Sequence, residues 1–238
     1  MKRLIKSIFP QSVWDHVRYL RYKILKRGYF SLNNLDKKLE KYLDYRNGYF
    51  VELGANDGFT QSNTLAFEQK KGWRGVLIEP SPHLFLSCTY YRSCDGNNLY
   101  CNACVPFGYE KKYVDIEYAN LMSVSASLET DIEDLGKFLD NARRGVDKFV
   151  KSIRFGAEAR TLTSILDESN SPHNIDLLSL DVEGAELSVL AGIDFDKYTF
   201  KYMLIECRDI GRLSGFLANY GYKQIDKLSH HDYLFSKM

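Results

Sequence analysis

The sequence lacks long apolar runs and lacks an excess of either charge. No stretch of about 18 apolar residues occurs, so we expect no transmembrane helix. The first residues, MKRLIKSIF, are basic, but Lys6 interrupts their apolar stretch and no small-residue cleavage site follows, so we expect no secretory signal. Lysine and arginine (32) nearly cancel aspartate and glutamate (31), and 45% of the 238 residues are hydrophobic. These proportions exclude a disordered chain and are typical of a soluble globular protein, which we expect in the cytoplasm.

Cysteine is also scarce, with five residues in the chain. An odd number of cysteines without a signal sequence predicts reduced thiols rather than a disulfide framework. The spacing Cys101-x-x-Cys104, with Cys88 and Cys94 nearby, raises a zinc site as an alternative. Cys101 and Cys104 fall on a predicted strand, where residues three apart point to opposite faces, so we expect buried apolar cysteines instead.

The charges are unevenly distributed along the chain. Residues 1–30 contain eight basic residues and one acid, which makes this segment +7 and leaves −6 for the rest of a chain whose net charge is +1. An acidic body argues against a nucleic-acid partner, because phosphate binding needs clustered lysine and arginine. Apolar spacing predicts a basic helix over residues 12–27. Its apolar side has two interpretations: it packs on the domain or on a second subunit of a homodimer, or it contacts an anionic membrane surface peripherally.

The pattern divides the chain into a basic helical extension, residues 1–46, and a domain, residues 47–238. In the domain, short apolar strands alternate with helices. The predicted strands are Tyr49–Leu53, Gly75–Glu79, Leu99–Val105, Ile175–Leu180, Tyr202–Cys207, Tyr222–Ile225 and Tyr233–Ser236. The predicted helices are Leu32–Leu43, Thr64–Lys71, Pro82–Tyr91, Asp131–Val150, Thr161–Asp167, Ala185–Ala191 and Gly211–Asn219, and a polar hairpin is predicted over residues 111–128. This order is typical of a parallel sheet covered on both faces, with an antiparallel strand added by the final hairpin.

The strongest motif follows the first predicted strand. It runs from Glu52 to Gly58, where glycines let the backbone approach a ligand and open N–H groups are expected to face it. Glu79 ends the next strand, the place where an acid holds ribose hydroxyls in doubly wound folds. The dinucleotide fingerprint Gly-x-Gly-x-x-Gly is not matched, since Phe59 occupies its third glycine position. Glu52 is unfavourable beside a diphosphate but suits an ammonium or sulfonium group, which favours S-adenosylmethionine.

Several segments resemble methyltransferases of the FkbM family, between about residue 48 and residue 236. They are YFVELGANDGFTQSNT, GVLIEPSP, NACV, TLTSILDE, IDLLSLDVEGAELSVLAGIDF and MLIECR. The resemblance implies an α/β fold with a Rossmann-like seven-stranded class I methyltransferase sheet of order 3-2-1-4-5-7-6, following the N-terminal helical extension. It also implies O-methylation of a hydroxyl group, often on a sugar or polyketide.

The resemblance also implies positions for the cofactor. The residues expected to bind S-adenosylmethionine are Glu52, Gly54, Ala55, Asn56, Asp57, Gly58, Glu79, Asn102 and Asp181. Glu79 is expected at the ribose, and Asn102 either donates to adenine or satisfies backbone at a strand end. Glu186 either binds at the site, or is a solvated side chain or a partner of the helix dipole.

Methyl transfer to a hydroxyl also needs a proton acceptor, which a carboxylate or imidazole can provide. The expected catalytic residues are Asp181, Glu183, Glu206 and His230, with His83 and His231 as further candidates. Asp181 and Glu206 end adjacent predicted strands, and with Asp209 they form a candidate Mg²⁺ site, which we consider possible but do not favour over metal-free carboxylates.

The expected function is therefore a methyltransferase that uses S-adenosylmethionine and acts on a hydroxyl acceptor, expected to be a sugar of a glycan or glycolipid precursor. Two alternatives stay open. One is a non-catalytic module that binds S-adenosylmethionine or a nucleotide, and the other is a nicotinamide-dependent oxidoreductase, which the residue at position 59 disfavours.

Overall fold

A computed structural model describes residues 28–93, 96–119, 123–125, 128–130 and 153–238, with isolated positions at 17, 20, 132, 134, 136–138 and 140. The described strands are β1 (Tyr49–Leu53), β2 (Arg74–Ile78), β3 (Asn98–Tyr100), β4 (Ala103–Cys104), β5 (Tyr113–Tyr118), β6 (Val124–Ser125), β7 (Ile153–Arg160), β8 (Asn174–Leu180), β9 (Thr199–Glu206), β10 (Tyr222–Lys227) and β11 (Asp232–Lys237). The described helices are α1 (Leu35–Leu39), α2 (Leu65–Lys71), α3 (Pro82–Arg92), α4 (Leu162–Glu168), α5 (Glu186–Leu190) and α6 (Ile210–Ala218).

Seven strands form the central sheet in the order β3-β2-β1-β8-β9-β11-β10. Counted along the chain within this sheet alone, the strands stand in the order 3-2-1-4-5-7-6. The first five are parallel to one another, while β11 runs antiparallel to both β9 and β10. Helical crossovers join the parallel strands, as short apolar strands separated by helices require. The expected mixed α/β, Rossmann-like architecture is confirmed.

The sheet is buried on both faces because its central strands are apolar at almost every position. Leu178 and Leu180 of β8 pack with the residues of α4, α5 and α6. Leu177, on the opposite face, packs with Leu39, Phe67 and other residues of α1 and α2. All of these side chains are at most 2% exposed. Continuous apolar strands are the pattern expected for a sheet that has helices on both sides.

A second, four-stranded sheet was not predicted and has the order β4-β7-β5-β6. The strand predicted over Leu99–Val105 is wrong as a single element, because β3 ends at Tyr100 and β4 pairs with β7 instead. The predicted polar hairpin is confirmed as the antiparallel pair β5 and β6. Strand β7 escaped sequence analysis because only Ala157 of its eight residues is buried, so it has no apolar run.

The N-terminal segment differs from its prediction. The helix predicted over Leu32–Leu43 is shorter: a 3₁₀ turn, Leu32–Asn34, precedes α1, and Asn33 and Asn34 have left-handed backbone conformations that interrupt an α-helix. Leucines 35, 39 and 43 are at most 4% exposed and pack in the domain core. Of the helix predicted over residues 12–27, only positions 17 and 20 are described, and both are helical. Most of the helix predicted over residues 131–150 likewise lies outside the described residues. Within the described part of the chain, no helix is long and apolar enough to cross a membrane.

Candidate active site

A cavity of about 440 Å³ opens at the carboxyl ends of the parallel strands. Its floor is the central sheet, from Asn102 after β3 across to Asp232 at the start of β11. Ile116 and Ser125 of the second sheet contribute to its walls, and Leu32 and Leu35 of the N-terminal segment contribute too. Open α/β sheets bind ligands at this edge, and the volume suits a small-molecule site.

The turn after β1 brings the backbone of two strands into contact. Gly54 has φ +76°, and a Cβ added there would lie 1.9 Å from the carbonyl oxygen of Asp181. The N–H of Asp181 in turn donates to the carbonyl of Leu53 at 3.3 Å. Only glycine fits this close approach, which joins the ends of β1 and β8 at the cavity.

The expectation that this turn presents open N–H groups is wrong. The N–H groups of Gly54 and Ala55 both donate to the carbonyl of Ile78 at 3.1 Å, and that of Gly58 donates to the carbonyl of Ala55. The two intervening N–H groups donate to the side chains of Glu79 and Asn56. The turn is hydrogen-bonded within itself and to β2 and Glu79. Its N–H groups therefore already have acceptors within the protein and are not free to bind a ligand.

Glu79 is a buried carboxylate directly after β2, one position beyond the end of the strand that the sequence predicted to include it. Its two oxygens accept hydrogen bonds from the N–H groups of Asn56 (2.8 Å) and Ser81 (2.9 Å). Burial raises the pKa of Glu79 to about 7, although these two hydrogen bonds oppose the shift. Each carboxylate oxygen has a second acceptor site, so Glu79 can also receive hydroxyl groups in the cavity. Asn102 lines the cavity nearby, and its side chain donates to the carbonyl of Glu158 at 3.2 Å.

Glu52 is buried beneath the loop that follows the turn. Its carboxylate accepts hydrogen bonds from the hydroxyl of Ser62, the N–H of Asn63 (2.9 Å) and the hydroxyl of Thr64 (2.6 Å). The guanidinium of Arg92, which is fully buried, lies 3.4 Å from it. Glu52 lines the cavity but serves chiefly to fix residues 62–64 against β1.

Four carboxylates gather at the other end of the cavity: Asp181, Glu183, Glu206 and Asp232. Asp181 follows β8 and is hydrogen-bonded to Glu206 at the end of β9. Burial, followed by repulsion from Glu206 and Glu183, raises the pKa of Asp181 well above its ordinary value. Asp232 stands opposite Glu206 in the β9–β11 register, and burial raises its pKa too. Glu183 is paired with Arg208 at 3.0 Å.

The structure places other predicted residues away from the cavity lining. His230 is exposed in the turn before β11. Asp57 caps its own turn by accepting hydrogen bonds from the N–H groups of Phe59 and Thr60. Gly58 packs against α3, where a Cβ would lie 2.6 Å from Cγ of Arg92.

The remaining candidates are also engaged in the fold. Glu186 accepts from the N–H groups of Val182 and Gly184, which makes it a partner of the turn before α5. His83 bridges Ser81 and Tyr118. Asp209 caps α6, and within the described ranges no group of three His, Cys, Asp or Glu side chains is arranged to hold a metal ion.

Sequence analysis missed five polar residues of this region: Ser62, Asn63, Thr64, Arg92 and Asp232. The first three lie within the YFVELGANDGFTQSNT segment but carry no charge that would single them out. Arg92 gave no signal, because a basic residue in the last turn of a helix is ordinarily solvated. Asp232 could have been found, since the first residue of β11 pairs with the last residue of β9.

Comparison with known proteins adds one finding. The family model described as the Methyltransferase FkbM domain matches residues 52–224. The match begins near the end of β1 and ends within β10. It therefore includes Glu52 and the loop that follows β1, Glu79 and the Asp181–Glu206 pair. No curated protein matches the chain.

Proposed function

The chain belongs to the FkbM methyltransferase family, and from this premise we propose that it transfers a methyl group from S-adenosylmethionine to a hydroxyl group. The acceptor class that we propose is a sugar of a glycan or glycolipid precursor. The observation that supports the proposal best is the single cavity that contains Glu79 at one end and the Asp181–Glu206 pair at the other. This arrangement offers an acceptor for ribose hydroxyls and an acceptor for a proton in one enclosed space.

The residues present fit the cofactor. The unused acceptor sites of Glu79 suit the ribose hydroxyls, and the absence of a Cβ at Gly54 lets the ends of β1 and β8 meet at the floor of the cavity. Carboxylates along the cavity favour a cationic ligand. When bound, S-adenosylmethionine supplies an electrophilic methyl group on a positively charged sulfur. Holding the acceptor hydroxyl in line with such a group is worth up to about 7–11 kcal/mol in favourable cases.

The Asp181–Glu206 pair supplies the proton acceptor. Burial and the neighbouring carboxylate of Glu206 raise the pKa of Asp181, so the negative charge of its ionised carboxylate binds a proton more tightly than that of an ordinary aspartate. That charge takes up the proton of the acceptor hydroxyl as the new O–CH₃ bond forms and the bond between the methyl group and sulfur breaks. General-base assistance of this kind contributes about 100- to 10,000-fold.

The oxidoreductase alternative is disfavoured by two observations. The amides of the turn after β1 are already hydrogen-bonded within the protein, so they are not free to hold a pyrophosphate. Phe59 packs edge-on against Phe30 and at a tilt against Tyr91, at the position where the dinucleotide motif requires a glycine. A non-catalytic binding module would have the same cavity and differs only in turnover.

The test combines binding and turnover. S-adenosylhomocysteine should bind in calorimetry, and S-adenosylmethionine should be converted to it in the presence of a panel of sugar acceptors. Asp181→Asn should lower turnover at least about 100-fold while changing the affinity for S-adenosylhomocysteine little, and Asp196→Asn, an exposed aspartate after α5, serves as control. Wild-type turnover should fall as the pH drops through the raised pKa of Asp181, because the Asp181 carboxylate is then protonated and can no longer accept the proton of the hydroxyl group.

Three results would contradict parts of this proposal. Binding of NADH with no binding of S-adenosylhomocysteine would overturn the cofactor. Binding without turnover on any acceptor would favour the non-catalytic module. Equal loss of affinity and turnover in Asp181→Asn would make this residue a cofactor ligand, and the proton acceptor would then be sought at Glu183 or Glu206.

A further inference from the structure

Glu52 has no acceptor site left for a ligand. A carboxylate offers about four hydrogen-bond acceptor positions. One oxygen of Glu52 accepts from the hydroxyl of Ser62 (3.0 Å) and the N–H of Asn63 (2.9 Å). The other accepts from the hydroxyl of Thr64 (2.6 Å) and from Arg92 (3.4 Å). An ammonium group in this part of the cavity therefore needs another acceptor.

Asn63 offers one. It lines the cavity, and its Nδ2 donates to the hydroxyl of Ser179 at 3.0 Å. Its Oδ1 is the one buried side-chain nitrogen or oxygen without a hydrogen-bond partner among the described residues. Exchanging the two amide atoms would not remove the vacancy, since Ser179 Oγ can donate as well as accept and the other amide atom would then be unpaired. An unpaired buried polar atom costs about 1–3 kcal/mol, so its presence in a cavity wall points to a ligand.

The position of Asn63 is fixed before any ligand binds. Its backbone N–H donates to Glu52, the second-last residue of β1, and its side chain donates to Ser179, the second-last residue of β8. Glu52 is itself held by Arg92, which also donates to the hydroxyls of Ser62 and Thr64. Asn63 is thus held against the paired strands β1 and β8, in the same cavity lining as Gly54 and Asp181.

We propose that Asn63 accepts, through Oδ1, a hydrogen bond from the ammonium group in the methionine part of S-adenosylmethionine. This role rests on the proposed function. An amide oxygen is a good partner for an ammonium group, because a hydrogen bond to a charged donor is stronger than one between neutral groups. Glu52 then acts as a positioning residue, which holds the loop that carries Asn63.

The experiment compares two ligands that differ only in the amino-acid group. S-adenosylhomocysteine carries the ammonium, whereas 5′-methylthioadenosine keeps the nucleoside and the sulfur but lacks it. Calorimetry on Asn63→Ala should show a loss of affinity for S-adenosylhomocysteine of about 10- to 100-fold and little change for 5′-methylthioadenosine. Asn63→Asp restores an oxygen at this position and should keep most of the affinity for S-adenosylhomocysteine.

Two controls make the result interpretable. Asn219→Ala removes an exposed asparagine at the end of α6 and should leave both affinities unchanged. Melting temperatures of all variants report whether the fold is intact. Equal losses for both ligands in Asn63→Ala, or no loss for either, would overturn the proposal. A wild-type protein that binds neither ligand would overturn the proposed function itself, so the two failures are distinguishable.

Discussion

Replacing Arg92 by leucine removes the cation that joins the β1 strand, the 58–64 loop and α2. The guanidinium is fully buried and donates to five groups: Glu68 (2.9 Å), Glu52 (3.4 Å), the carbonyl of Gly58 (3.1 Å), the hydroxyl of Ser62 (3.0 Å) and the hydroxyl of Thr64 (2.9 Å). Leucine has comparable apolar bulk but no donor. The two glutamates, which are at most 10% exposed, would be left buried together without their counter-charge.

The expected cost is large because the remaining charges stay buried. Removing one partner of a buried ion pair typically costs about 3–5 kcal/mol. For a chain of this size, each kcal/mol lowers the melting temperature by about 2–4 °C, which gives a decrease of roughly 6–20 °C. Arg212→Leu is the matched control, because both Arg212 and its partner Glu129 are about half exposed or more, and an exposed ion pair contributes little to stability.

Urea unfolding, monitored by circular dichroism, measures the free energies of unfolding of Arg92→Leu and Arg212→Leu. In Arg92→Leu/Glu68→Gln one uncompensated charge is gone, so the double variant should recover part of the stability that Arg92→Leu loses. Arg92→Leu should also weaken binding of S-adenosylhomocysteine, since the loop that carries Asn63 loses its anchor. A destabilisation by Arg92→Leu no larger than that by Arg212→Leu would refute the reasoning, because the buried cation would then not be holding these elements together.

Two further predictions concern the floor and the N-terminal wall of the cavity. Gly54→Ala should cost more than Gly221→Ala in urea unfolding: both glycines have a positive φ near +80°, but only the Cβ at position 54 meets backbone, 1.9 Å away, while position 221 is open. Equal costs would mean that backbone strain at a positive φ, and not the contact between β1 and β8, accounts for the stability lost in Gly54→Ala. Deleting residues 1–43 should leave the chain insoluble, because its three buried leucines complete one face of the core. Deleting residues 1–27 keeps those leucines and should preserve a cooperative melting transition. A soluble, cooperatively melting chain without residues 1–43, or an insoluble chain without residues 1–27, would contradict the packing of these leucines in the core.

The sequence alone determined the succession of the central strands and helices along the chain. It also determined that carboxylates lie at the ends of those strands. Leu177, Leu178 and Leu180 of β8 show why: an apolar run of this length between turn residues is too short for a buried helix, so it indicates a buried strand. The same reasoning located Glu79 and Asp181 at the cavity, because the carboxyl ends of parallel strands share one edge. These are local signals that the chain carries within a few residues.

Tertiary structure decided what each of those side chains is able to do. Glu52 has the charge expected of a cofactor ligand, yet Arg92, forty positions along the chain, and the hydroxyls of Ser62 and Thr64 occupy its oxygens. Strand β7 forms because β5 and β4 pair with its backbone, although its side chains carry no apolar pattern. Hydrogen-bond partners and strand partners come from distant parts of the sequence, so the functional state of a buried polar residue is set only when those parts meet.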